Sequence, residues 1–171
     1  MRKGRMIQYL TVFVLAFYFA VAGIQGIARA EETTELSDGT YNYTVNADGK
    51  TATLTKYIGS AADVTIPETI GNGYTVTKLD SNIFSNNTVI TSVHVSKTIE
   101  SLGQNTTEFY GAYNLKNITV DKGNPIFYDI NGVLFKRVSA GNLLIKYPEG
   151  KKQTEYIIPQ NVDIITQLSF K

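Results

Sequence analysis

The stretch from residue 84 to residue 120, FSNNTVITSVHVSKTIESLGQNTTEFYGAYNLKNITV, decides the fold, because it states one spacing and then repeats it. From Phe84, apolar residues fall at Ile90, Val93 and Val95. From Phe109 the same steps of six, nine and eleven fall on Leu115, Ile118 and Val120. Between the two runs, Val95 leads to Ile99 four residues on and to Leu102 three beyond that, which brings the chain to Phe109. A strand too short to bury its own face is completed by copies of itself, so recurrence at this period predicts stacked coils rather than an independent layer.

The frame extends both ways. Upstream, Ile66 is followed by Ile70 at four, a Gly71-Asn72-Gly73 insertion, then Val76, Leu79 three later and Phe84 five after that. Downstream, a last copy opens at Ile158-Pro159 and continues through Val162, Ile165 and Phe170. Each copy predicts one short strand in parallel with the next, with Phe84, Phe109 and Phe170 stacked as an aromatic row inside. Before the repeats, Tyr41, Tyr43 and Val45 alternate with polar residues, Asn46-Ala47-Asp48-Gly49-Lys50 supplies a turn, and Thr51 to Ile58 alternates again. That pattern predicts a β-hairpin over 41–58, placed to cap the N-terminal end of the stack. Residues 120–157 form an enlarged unit in which two apolar runs flank Ser139-Ala140-Gly141-Asn142, which reads as an extra hairpin projecting from the stack. No segment of the mature chain holds a period of 3.6 for three turns, so little helix is expected apart from the leader.

That leader is residues 1–30. Arg2, Lys3 and Arg5 precede an apolar run from Leu10 to Ile24 that finishes at Ala28-Arg29-Ala30, the pattern of a Sec-exported signal peptide cleaved after Ala30. An uncleaved anchor is the rival reading, since Met6 to Ile27 is long enough to span a bilayer. Removing residues 1–30 takes four of the 16 basic groups and none of the 15 acidic ones, leaving 12 minus 15, or −3. A mildly acidic chain has no electrostatic case for nucleic acid or anionic lipid, so neither nucleic acid nor, after cleavage, membrane is expected as a partner. Without cysteine, an exported chain holds its fold by packing and backbone pairing alone. Residues 31–40, acidic and polar, read as a flexible leader before a repeat domain over 41–171, with the repeats at 63–171.

Ile66-Pro67, Ile158-Pro159, Leu102-Gly103, the recurrent Phe, Asn114-Leu115-x-x-Ile118-x-Val120 and the Gly132-Val133-Leu134-Phe135 to Tyr147-Pro148-x-Gly150-Lys151 unit resemble BspA-like leucine-rich repeats. The resemblance covers about residues 41–171 and implies a bacterial surface solenoid that acts by adhesion. The chain departs from that pattern at Ser96, where proline is usual, at Asp80 and Thr166 in place of glycine, and at Ile83, Glu108 and Ser169 in place of the alanine before Phe. The frame asks for another strand about eleven residues after Phe170, so the last repeat reads as incomplete. A fragment of a longer protein is the favoured explanation, and completion of the coil by another chain is the alternative.

No catalytic, cofactor or metal set emerges. His94 is the lone histidine, on an alternating strand with no nucleophile motif beside it. Asp129-Ile130-Asn131-Gly132 lacks the distal acid of a calcium loop and reads as a turn. Alternation instead aims Thr65, His94, Thr119 and Ile157 outward, with Asp63, Ser92, Asn117 and Glu155 two positions earlier, as one ladder on the concave sheet. Those eight residues are the candidate contact face. The expected function is a secreted or cell-surface, non-catalytic binding module for a protein or matrix ligand. A structural spacer or wall-assembly element is the alternative, and an extracellular glycan hydrolase a remote third.

Overall fold

The computed structural model describes residues 34–103 and 107–171, and the signal segment read at 1–30 lies outside them. All regular elements among the described residues are strands. The first sheet opens with β1 (Leu36–Ser37), β2 (Tyr41–Val45) and β3 (Thr51–Tyr57), paired antiparallel, after which β3 runs parallel to β6 (Tyr74–Leu79), with β5 (Thr69–Ile70) on its far edge. The hairpin over 41–58 is therefore present and starts the stack. Its turn is set by Asp48, whose carboxylate accepts the backbone N–H groups of Lys50 and Thr51, both at 2.8 Å. Those bonds favour the charged form and hold the carboxyl below its usual pKa. The leader read as flexible at 31–40 is ordered over its last residues. Leu36 pairs with Tyr43, and Asp38 accepts Thr40 N–H and Tyr41 N–H at 2.8 and 2.7 Å, because a polar segment beside an open strand edge can satisfy that edge.

The second sheet is the repeat itself: β4 (Asp63–Thr65), β7 (Ser92–Val95) and β8 (Asn117–Val120), all parallel, in the order β4-β7-β8. Alternate residues Val64, Val93 and Ile118 point inward and are buried, as are Ile66, Ile99, Leu115, Phe84 and Phe109. The aromatic row begins in the cap. Tyr41, Tyr57, Phe84 and Phe109 follow one another at centroid spacings of 5.3, 5.7 and 5.6 Å, the last pair stacked at 13°. The backbone keeps the same step, since Tyr57 N–H donates to Ile83 O and Phe84 N–H to Glu108 O, at 3.1 and 3.0 Å. The carbonyl just before one aromatic thus anchors the amide of the aromatic one coil earlier.

Phe170 does not join this row. It is half exposed and packs on Tyr147 and Tyr156, with ring centroids 5.5 and 6.3 Å away. The reason is a second hairpin. The third sheet has the order β12-β11-β10-β9, in which β9 (Phe127–Ile130), β10 (Val133–Val138) and β11 (Gly141–Lys146) are antiparallel and β12 (Ile164–Ile165) runs parallel to β11. This repeats the β1-β2-β3-β6 order of the first sheet. Leu144 pairs with Ile165 as Leu54 pairs with Leu79, and Tyr147 N–H donates to Ser169 O at 2.7 Å as Tyr57 donates to Ile83. Even the closing turns agree: Ile83 N–H to Asp80 O and Ser85 N–H to Asn82 O are matched by Ser169 N–H to Thr166 O and Lys171 N–H to Leu168 O. The unit at 120–157 therefore does not project from the stack. It is a second cap that begins a new row, Tyr147 to Phe170, so the three phenylalanines lie in two rows rather than one.

The junction between the two parts is stitched by Asn124. Buried to 4%, it donates through Nδ2 to Ser96 O and Ile99 O at 3.0 and 2.9 Å and accepts Ile126 N–H and Phe127 N–H at 2.9 and 2.7 Å. Between β9 and β10 the turn is Asn131-Gly132, both at positive φ (52° and 76°), the type I′ geometry that Asn-Gly adopts at least cost. Asp129 bonds Val120 N–H at 2.8 Å, so the acid in this segment serves the strand junction.

Truncation should report the two rows separately. Phe84→Ala and Phe109→Ala each remove a ring from a dry core and should cost about 3–5 kcal/mol, whereas Phe170→Ala, already half exposed, should cost less than about 1.5 kcal/mol. Urea unfolding of the three variants provides the measurement. Equal losses at all three positions would contradict the two-row arrangement.

Candidate functional site

Six of the eight outward residues come together. Parallel pairing puts Asp63, Ser92 and Asn117 in one row across β4, β7 and β8, and Thr65, His94 and Thr119 in the next. The period of two aims these side chains away from the core while Val64, Val93 and Ile118 fill it. Neighbours along each row are linked. Ser92 Oγ donates to Asp63 Oδ1 at 2.6 Å and Thr91 Oγ1 to the same oxygen at 3.1 Å, which lowers the carboxyl's pKa. His94 Nδ1 and Thr119 Oγ1 lie 3.0 Å apart in a hydrogen bond. Such bonds hold side chains of an exposed face in fixed rotamers, which reduces the ordering cost of binding.

Glu155 and Ile157 do not join. Both are exposed, Ile157 to 89%, and both sit in irregular chain rather than in a fourth rung beside β8. The second hairpin explains this. In the first unit Asp63–Thr65 forms a strand only because β7 of the following coil pairs with it. Residues 155–157 occupy the matching place in the second unit, ahead of Ile158-Pro159 as 63–65 precede Ile66-Pro67, and no following strand lies beside them among the described residues.

As a reaction centre the face has an imidazole and hydroxyls, but the group that His94 Nδ1 meets is the Thr119 hydroxyl and not an orienting carboxylate. The described residues contain no group of three or more His, Asp or Glu placed to hold a metal. Two further charged sites are buried, and the sequence reading missed the first of them. Lys146 is buried and pairs with Glu149 at 2.9 Å, and its ammonium also donates to Lys171 O. Glu149 Oε1 in turn accepts Gly111 N–H at 3.2 Å, so the pair ties the second hairpin to the coil of Phe109. A lysine at the end of an apolar strand gives no local signal that its head group will be enclosed. Glu108, by contrast, stands out in the sequence, where the repeat pattern expects alanine before Phe. It is fully buried and neither carboxylate oxygen has a hydrogen-bond partner at ordinary length. Burial raises its pKa from 4.5 to about 7, only partly offset by the pull of backbone N–H groups at Glu108 and Gly103.

No family model matches the chain, and no curated protein matches it. Solved structures do. A leucine rich cell surface protein from Faecalibacterium prausnitzii A2-165 is 16% identical with a TM-score of 0.37, covering 78% of this chain and 66% of that one. A leucine-rich-repeat protein of T. pallidum is 21% identical with a TM-score of 0.45, over 53% of this chain and 41% of the other. The pneumococcal vaccine antigen PcpA is 16% identical with a TM-score of 0.39, over 81% and 62%. The chain thus spans less than two thirds of each of these structures. The fold is a solenoid of stacked parallel strands. Its own parallel ladder, aromatic row and inter-coil bonds carry that statement.

The buried carboxyl makes stability depend on pH. Because the folded protein holds the Glu108 proton up to about pH 7 and the unfolded chain releases it near 4.5, stability should be greatest below about pH 4.5 as far as this group is concerned. It should fall by about 3 kcal/mol as pH rises to 7, then level off. Glu108→Gln should flatten that portion of the curve in chemical denaturation at pH 5, 6, 7 and 8. An unchanged slope would assign the effect to other groups.

Proposed function

We propose that the chain is a secreted or cell-surface, non-catalytic binding module that contacts a protein or matrix ligand through the β4-β7-β8 face. The observation that supports this most directly is the register. Three parallel strands align Asp63, Ser92 and Asn117, and Thr65, His94 and Thr119, so that a polar surface is presented on a buried apolar core. Solenoids bind along such faces because each coil adds one row at a fixed spacing. Export follows from the basic head, apolar run and Ala28-Arg29-Ala30 of the first thirty residues. After cleavage the net charge of −3 disfavours nucleic acid and anionic membrane as partners, and the function needs no cofactor.

A spacer or wall-assembly role is the second reading. It is favoured by the concentration of exposed Ile157, Ile158, Ile164, Ile165 and Phe170 in the second unit, away from the polar face.

Replacing His94 and Thr119 together by arginine separates the two. The side chains project outward, so the melting temperature should stay within about 2 °C of the parent. Retention on extracellular-matrix-coated surfaces and on epithelial cell layers should fall at least about tenfold if the face is the contact. Unchanged retention by a folded double variant would favour the spacer.

A further inference from the structure

Without residues 1–30 the sequence carries a net charge of −3, yet three of its lysines gather around one opening. Lys116, Lys151 and Lys152, together with Gly150 and Gln153, line a cleft of about 410 Å³ beside the start of β8. The ion pairs among the described residues are Lys97 with Glu68 and Lys146 with Glu149, so none of the three has a carboxylate partner. Like charges held around one cleft repel one another, and an anion placed among them removes that cost.

Backbone contacts hold the cleft in place. Gly150 N–H donates to Leu115 O at 2.7 Å, and a Cβ at this position would sit 2.6 Å from the same oxygen, so glycine is what lets the two segments lie this close. Lys116 N–H donates to Thr91 O at 2.8 Å and Lys151 N–H to Pro148 O at 3.2 Å. Lys151 Nζ donates to Asn131 O at 2.7 Å, which uses one of its three protons and leaves two. Tyr147 O–H donates to Gln153 Oε1 at 3.2 Å, so the amide has its NH₂ left to offer. The side chains around the opening are therefore donors, and no carboxylate lines it.

Two features select the class of ligand. Three ammonium groups around so small a space suit an acceptor whose charge is shared by three adjacent oxygens, as in a sulfate or phosphate monoester, better than single carboxylates spaced along a peptide. The lining contains no aromatic or branched aliphatic side chain, so a ligand gains charge-assisted hydrogen bonds and little apolar burial, which suits a hydroxyl-rich chain. Asn117 and Thr119, aimed outward along β8 directly after Lys116, add polar groups of the kind that meet sugar hydroxyls. We propose that the Lys116–Lys151–Lys152 cleft is a binding site for a glycan chain carrying sulfate or phosphate groups. It does not rest on the β4-β7-β8 face being a contact surface, since none of the six residues of that face lines it. A duplex or a membrane spreads its charge over a broad surface, where the net charge of the chain opposes it. A flexible glycan brings one group at a time within about 10 Å, the range over which charge acts at about 0.1 M salt.

The test titrates heparin, as the sulfated glycan, and a phosphomannan, as the phosphorylated one, into the full chain and its charge variants. At least one of the two should bind with Kd below about 100 µM in about 50 mM salt and weaken about tenfold or more in about 200 mM salt. Amide resonances of residues 116, 117 and 150–153 should shift on addition, and the tighter of the two polymers assigns the anion. Lys116→Glu with Lys152→Glu, both exposed, should lose about tenfold or more. Lys50→Glu with Lys56→Glu, the same change of net charge on the first hairpin, should stay within about twofold. If the first pair fails to fold by circular dichroism, Lys116→Gln with Lys152→Gln takes its place, with a loss of about threefold or more expected. No binding of either polymer would overturn the proposal, as would equal losses in the two pairs of variants, which would make net charge the cause. Binding of poly-glutamate or single-stranded DNA as tight as that of the better glycan would overturn it too.

Discussion

The structure depends on one recurring constraint: a coil of a few residues can bury only one of its faces and satisfy only half of its backbone, so each coil must be answered by the next. The amides of three aromatics are held by the carbonyl that precedes the following aromatic, through Tyr57 to Ile83, Phe84 to Glu108 and Tyr147 to Ser169. The ring centroids then follow one another at 5.7, 5.6 and 5.5 Å, one aromatic to each coil.

That constraint explains why hairpins appear where they do. A stack needs a first strand whose outer side is already paired, and an antiparallel hairpin supplies one. β2 does this for β3, and β10 does it again for β11. Having two such starts allows the chain to hold two ladders, with Asn124 and the Lys146–Glu149 pair tying them together. Buried polar groups are concentrated at this junction because irregular backbone there leaves carbonyls and amides without ladder partners.

The polar face is a by-product of the same arithmetic. Strand alternation sends every second residue outward, and parallel register aligns those residues into rows without any further instruction. Hydroxyl and carboxylate groups on neighbouring strands then bond along the row, as Ser92 does to Asp63 and His94 to Thr119. What a ligand would meet is a surface already fixed before it arrives.

Much of this was legible in the residues. The steps from Phe84 and Phe109 fixed a parallel repeat, Tyr41 to Ile58 announced the first hairpin, and Asn131-Gly132 announced a tight turn, since each depends on local period or on a backbone conformation particular residues favour. Phe170 and the pair Glu155 and Ile157 were misplaced because they carry the repeat's spacing while belonging to a different stack. Spacing records the shape of a coil but not which coil lies beside it. The match between Leu54-x-x-Tyr57 and Leu144-x-x-Tyr147 was present as a clue, but two residues at a common separation are too few to stand out. Tertiary structure alone decided that the second hairpin restarts the stack, that Lys146 and Glu108 are enclosed, and that the outward ladder has three rungs among the described residues. Each of those outcomes depends on which surfaces meet across long stretches of chain, and that is settled by the competition to bury apolar area and pair backbone groups, not by any local pattern of residues.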